Sequence, residues 1–252
     1  MITDTAGAEY YRGLGITHIW DLGMETSLDA VDNAISPLSF WAAGKIYALQ
    51  SQSAPCAMMD TDFIVWKPVT RRLENAEIAV VHREGISAEI YPPRSFFTMR
   101  ETYAFPAEWD WSVLPCNTAF LYISGGDFKN YYTAASVEFM KNLVQSRNVT
   151  AEMVFAEQRL LAMCAGAKGI KVESLLDLAN LQKQDAFTHA WGLKSELQSD
   201  QEKRRNFCIS CIKRIAVDFP GELETLAGMS ILAPYFKGDH SFKEATHEHK
   251  SA

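Results

Sequence analysis

The period of the apolar positions changes several times along this chain. In residues 36–50, Leu38, Trp41, Ala42, Ile46 and Leu49 recur at helical spacing. Residues 57–66 form an apolar run of strand type, interrupted by Asp60 and Asp62 and closed at Pro68. Short buried strands are predicted at 77–82, 117–123 and 168–173, with the run 187–192 lying past the last of these and another strand at 16–20. Helical periodicity fills 128–145 and 151–164, and residues 8–15 read as a short helix stopped by glycine. The opening Met1-Ile2-Thr3-Asp4 reads as the tail of a strand. Residues 83–116 hold Pro92, Pro93, Pro106, Pro115 and many aromatics, which predicts an irregular insertion large enough to meet a substrate. From Ser195 the pattern is helical and increasingly polar, and 238–252 is expected to be a frayed tail. Strands alternating with helices predict an α/β layered domain with a largely parallel sheet over 1–200, followed by a helical extension and polar tail over 201–252.

Composition narrows the classes. With 252 residues, 48% of them hydrophobic and 22% charged, the chain has ample material for a buried core, which excludes disordered and fibrous types. Lys plus Arg is 24 against 31 for Asp plus Glu, a net charge of −7, so a general nucleic-acid surface is not expected. Cys56, Cys116 and Cys164 sit in apolar runs, and the odd total of 5 cysteines fits no disulfide framework. A reducing, cytoplasmic location is therefore expected. Cys208 and Cys211 form a C-x-x-C with no second pair to complete a zinc site, and read as one helix face. No transmembrane segment and no signal peptide are read from the sequence.

The acidic interruption carries the chemistry. Asp60 and Asp62, two positions apart on an extended segment, project to one side and repel unless a cation lies between them. In an open α/β sheet the carboxyl end of a strand is where ligands usually bind, and Mg²⁺ or Mn²⁺ bridging carboxylates to a diphosphate is the usual arrangement there. Taken alone the pair reads equally as two surface acids. The run His189-Ala190-Trp191-Gly192-Leu193-Lys194 adds an imidazole, a glycine permitting close backbone approach and an ammonium. Alone, His189 reads as a structural histidine and Lys194 as a solvated charge.

An apolar run ending in Asp60-x-Asp62, then Asn117-Thr118-Ala119-Phe120 beginning a later strand, Glu157-Gln158 on a helix, and the 189–194 run together resemble the GT-A-fold glycosyltransferases. The resemblance is particularly to the glycogenin-like and galactosyltransferase-like retaining family eight, with its His-x-x-Gly-x-x-Lys signature, over residues 1–194. It implies a metal-dependent transfer of sugar from a nucleotide-sugar, a UDP-sugar by family analogy, to a glycan, lipid or protein acceptor. Asp60, Asp62 and His189 would hold Mn²⁺ or Mg²⁺, and Lys194 would contact the phosphates with Gly192 admitting the backbone. Lys45 would lie near the donor, and Asn117, Glu157 and Gln158 would face the transferred sugar, Glu157 standing where the family has aspartate. Because that family places a nucleotide-binding strand before the segment matched by Met1-Ile2-Thr3-Asp4, the resemblance also implies either a GT-A fold lacking its first strand or another segment that fills that place. Trp109, Trp111, Tyr91, Phe96 and Phe97 are sugar-stacking candidates, with core packing as the alternative. Two other functions stay open at this point: a non-catalytic glycosyltransferase-like binding protein, and a Mg²⁺ phosphohydrolase with Asp60 as nucleophile.

Overall fold

The computed structural model describes residues 1–176, 186–190 and 192–236. In chain order the main elements are α1 (Thr5–Gly13), α2 (Ala43–Ser51), β1 (Cys56–Met59), β2 (Phe63–Val65), α3 (Thr70–Leu73), β3 (Ile78–Arg83), β4 (Thr98–Met99), β5 (Cys116–Ile123), α4 (Gly126–Asn142) and β6 (Leu143–Gln145). They continue with α5 (Val149–Val154), a π-helical turn (Phe155–Arg159), α6 (Leu160–Ala167), β7 (Val172–Ser174), β8 (Phe187–His189), α7 (Lys194–Ser199), α8 (Gln201–Asp218), α9 (Leu223–Gly228) and α10 (Ala233–Phe236). They fall into two compact units. One comprises Ile2 and Ser27–His189, the other Met1, Thr3–Thr26 and the described residues from Ala190 onward.

The larger unit is built on a four-stranded sheet of order β1-β5-β3-β7. β5 runs antiparallel to both β1 and β3, while β3 and β7 are parallel. The sheet is thus mixed, not largely parallel. β1, β3 and β7 share one direction and β5 is the reversed strand between them. Side-chain alternation sends Ile78, Val80, Leu121 and Ile123 to one face, where they meet Tyr132, Phe139 and Met140 of α4 and Leu160, Leu161 and Met163 of α6. Ala79, Val81 and Phe120 go to the other face, against Phe63, Leu175 and Phe187. Both faces are covered, as expected for an α/β fold. β1 lies at one end of the order and pairs with β5 alone among the described residues.

The aromatic insertion packs inward. Phe97, Phe105 and Trp109 are buried in the first core, with Phe96 and Trp111 packed against it, and Trp109 Nε1 donates to Tyr131 OH at 3.2 Å. Core packing therefore accounts for these rings. α4 also holds α2: the buried ammonium of Lys129 donates to the carbonyls of Leu49 and Gln50 at 3.2 and 2.9 Å, closing the carboxyl end of α2.

Two local expectations fail for identifiable reasons. Residues 17–19 form a 3₁₀ turn and not a strand, with Ile19 N bonded to Ile16 O. Helix α2 starts only at Ala43. Phe40 N closes on Ser36 O and Ala43 N on Phe40 O, a chain of turns that leaves Leu38 and Trp41 exposed.

In the smaller unit Met1 O and Thr3 N both bond to Glu25, α1 is capped by Asp4 Oδ1 on Gly7 N, and the chain leaves α1 through Gly15 at φ +71°. Ile212 and Leu223 form a small apolar cluster with Tyr235 and Phe236. Residues 237–252, which include the expected tail, lie outside the described residues. Among the described residues no helix is long and apolar enough to cross a membrane.

Candidate metal centre

Asp60 follows β1 directly, and its amide bonds to Ala119 O at 2.8 Å, so the sheet ladder fixes its backbone. Phe63 N then bonds to Asp60 O at 3.0 Å. The two acids therefore flank a tight turn between β1 and β2 and do not share one extended strand. β2 pairs antiparallel with β8 in a register that sets Phe63 opposite His189, and Trp66 Nε1 donates to Thr188 Oγ1 at 2.8 Å across the same pair. This register brings the ends of a 127-residue separation together. His189 Nε2 lies 3.9 Å from Asp62 Oδ1, and one donor atom from each of Asp60, Asp62 and His189 falls within 4.8 Å of the others. Two carboxylates and an imidazole suit a divalent ion of the Mn²⁺ type, with the remaining positions left for other ligands. Asp60 Oδ1 is buried, so it faces the protein interior and not bulk water.

A second set of groups adjoins Asp60. Lys45, on α2, pairs through Nζ with Asp60 Oδ1 at 2.5 Å and with Glu157 Oε1. Burial by itself would lower the Lys45 pKa. The Glu157 and Asp60 carboxylates outweigh it and hold the ammonium above the usual lysine value. Glu157 is almost fully buried and also accepts from Thr118 Oγ1 at 2.6 Å.

Glu157 occupies the π-helical turn, and the reason for that turn is visible in α4. Tyr132 OH donates to Glu157 O at 2.6 Å and Ser136 Oγ to Ala156 O at 2.8 Å, so side chains serve carbonyls that a regular helix would satisfy internally. α5 before it starts firmly, because buried Glu152 accepts from Asn148 N at 3.0 Å while Asn148 Oδ1 accepts from Thr150 N and Ala151 N.

Asn117 and Gln158 meet through residues the sequence did not single out for this role. Asn117 Nδ2 donates to Glu84 Oε1 at 2.8 Å, and Tyr91 OH lies 2.7 Å from Glu84 Oε2 and 2.6 Å from Gln158 Oε1. Desolvation first, and the Glu84 carboxylate second, push the Tyr91 phenol well above its ordinary pKa, so it stays protonated as a donor. Tyr91 is buried, which makes it a member of this network and not a stacking platform. Glu84 is the first residue past β3, a place where a single glutamate carries no local pattern that would have marked it. Because β5 is reversed, its amino end with Asn117 and Thr118 lies at the same edge of the sheet as the carboxyl ends of β1 and β3.

Gly192 and Lys194 belong to the smaller unit. Gly192 has φ +80°, which only glycine adopts freely, and Lys194 opens α7. Counted along the chain this run is His-x-x-Gly-x-Lys, one residue shorter between glycine and lysine than the signature it resembles.

Fold and site together define a mixed α/β protein with an Asp-Asp-His group able to hold a divalent ion at the end of its sheet. The chain belongs to the DUF6734 family, a family of unknown function, which matches residues 2–227. No curated protein and no solved structure matches it significantly.

Proposed function

We propose that this protein is a metal-dependent glycosyltransferase of GT-A type, taking a nucleotide-sugar, with UDP as the nucleotide, and passing its sugar to an acceptor. The observation that supports the reading most is the convergence of Asp60, Asp62 and His189 at the carboxyl end of β1. Mn²⁺ or Mg²⁺ bound there would supply positive charge to a diphosphate leaving group. The protein's own groups have distinct tasks. Asp60, Asp62 and His189 would hold the ion beside the diphosphate. Asn117 and Gln158, fixed through Glu84 and Tyr91, offer amide groups to sugar hydroxyls. Glu157, which meets Lys45 and accepts from Thr118 Oγ1, stabilises positive charge developing at the anomeric carbon. The glycan, lipid or protein nature of the acceptor is left open by this reading.

Calorimetric titration with UDP-glucose, with and without Mn²⁺, tests it. Binding that requires Mn²⁺, and that UDP reproduces while uridine does not, is the expected result. Binding that is absent in both conditions, or indifferent to the ion, would contradict the proposal.

A further inference from the structure

Lys45 does not behave as a helix-surface lysine. Its Nζ makes ion pairs with Asp60 Oδ1 and with Glu157 Oε1 at once, so the ammonium sits between two carboxylates. Asp60 is shared, because it also belongs to the Asp60-Asp62-His189 group. Glu157 is buried, and a buried carboxylate is costly to keep charged without a counter-ion. Asp60 therefore stands between the Asp62-His189 side and the Lys45 ammonium, and the ammonium stands between Asp60 and Glu157. Carboxylate-bridged pairs of divalent ions are built with this alternation, the shared carboxylate lying between two cations.

We infer that Lys45 is a built-in second cation: its ammonium fills, between Asp60 and Glu157, a position that a divalent ion would otherwise take, and so limits this carboxylate cluster to one ion. The identity of the first ion rests on the reading of Asp60, Asp62 and His189 given above, whereas the role of Lys45 rests on its own contacts. α2, which carries Lys45 in its first turn, is itself held at its carboxyl end, where Lys129 ties the carbonyls of Leu49 and Gln50. The consequence for chemistry is a one-ion centre with a fixed positive charge beside it, which neither dissociates nor exchanges with the medium.

The test is Mn²⁺ stoichiometry near pH 7, read by calorimetry and by electron paramagnetic resonance, in the wild-type chain and in Lys45→Met. Methionine keeps the length of the side chain and removes its charge. One more ion per chain is expected in Lys45→Met than in the wild type, and adding Glu157→Gln to that variant should abolish the extra ion. A folded Lys45→Met that takes up no more Mn²⁺ than the wild type would overturn the inference, as would a second ion in the wild type at millimolar Mn²⁺. If Lys45→Met is unfolded without metal, millimolar Mn²⁺ should restore its circular dichroism, because the ion replaces the lost ammonium; failure to restore it counts against the inference. The two readings can fail separately. A wild type that binds no ion beside a variant that binds one would remove the proposed metal centre and keep the role of Lys45, and no ion in either would remove both.

Discussion

Glu157 and Gln158 are neighbours in sequence that face different partners, the first meeting Lys45 and Thr118, the second Tyr91. At this scale the chain was partly legible. Asp60, Asp62 and His189 stand out because two like charges in an apolar run ask for a cation, and they do converge. Glu84 did not stand out, because a lone glutamate after a strand has no local pattern. Tyr91 was visible only as an aromatic, since nothing in the sequence shows that its hydroxyl meets a carboxylate. Cys116 and Cys164 are buried, as small hydrophobes in apolar runs should be, and that has a measurable side. Burial pushes the Cys116 thiol from an ordinary 9.0 up to about 12, and Cys164 likewise up to about 12. A pKa raised on folding contributes stability that is complete below the unfolded value and is lost as pH rises through the folded one. The urea midpoint should accordingly fall between about pH 9 and about pH 12, and the fall should be shallower in Cys116→Ala, whose wild-type thiol is fully buried. Equal slopes for the two proteins would show that this thiol does not contribute.

Among the elements, the π-helical turn Phe155–Arg159 shows how packing overrides local preference. The sequence predicts plain helix over 151–164, and helix is present, but Ser136 and Tyr132 of α4 draw the carbonyls of Ala156 and Glu157 out of the regular ladder. No helical period reports such a cross-helix bond, because the donors lie about twenty residues upstream. Removing one should loosen the turn that carries Glu157. Tyr132→Phe leaves Glu157 O short of its donor in a fully buried place, which is expected to cost about 1–3 kcal/mol in urea unfolding. An unchanged midpoint would mean that the turn is held by packing alone. The strand predicted at 16–20 failed in the opposite sense: among the described residues no strand pairs with it, and a 3₁₀ turn satisfies its backbone instead.

For the whole molecule, the alternation of strands and helices gave the α/β class correctly, while the direction of the strands was out of reach. An apolar run has no polarity, so β5 reads the same in either orientation. Its reversal between β1 and β3 makes the sheet mixed, and the same reversal gathers Asn117 and Thr118 at the edge where Asp60 and Glu84 stand. The metal group depends on a further long-range pairing, that of β2 with β8, which no local spacing encodes. The account as a whole therefore rests on that pairing delivering His189 to the two aspartates as a working cation site. Electron paramagnetic resonance of the chain titrated with Mn²⁺ addresses this most directly. One bound ion is predicted for the wild type, with affinity reduced on the order of tenfold or more in both Asp62→Asn and His189→Ala, as expected when one metal ligand is lost. The fold of Asp62→Asn should be retained, since neutralising one of two like charges relieves the metal-free protein. Mn²⁺ binding that is absent from the wild type, or as strong in both variants as in the wild type, would contradict the account.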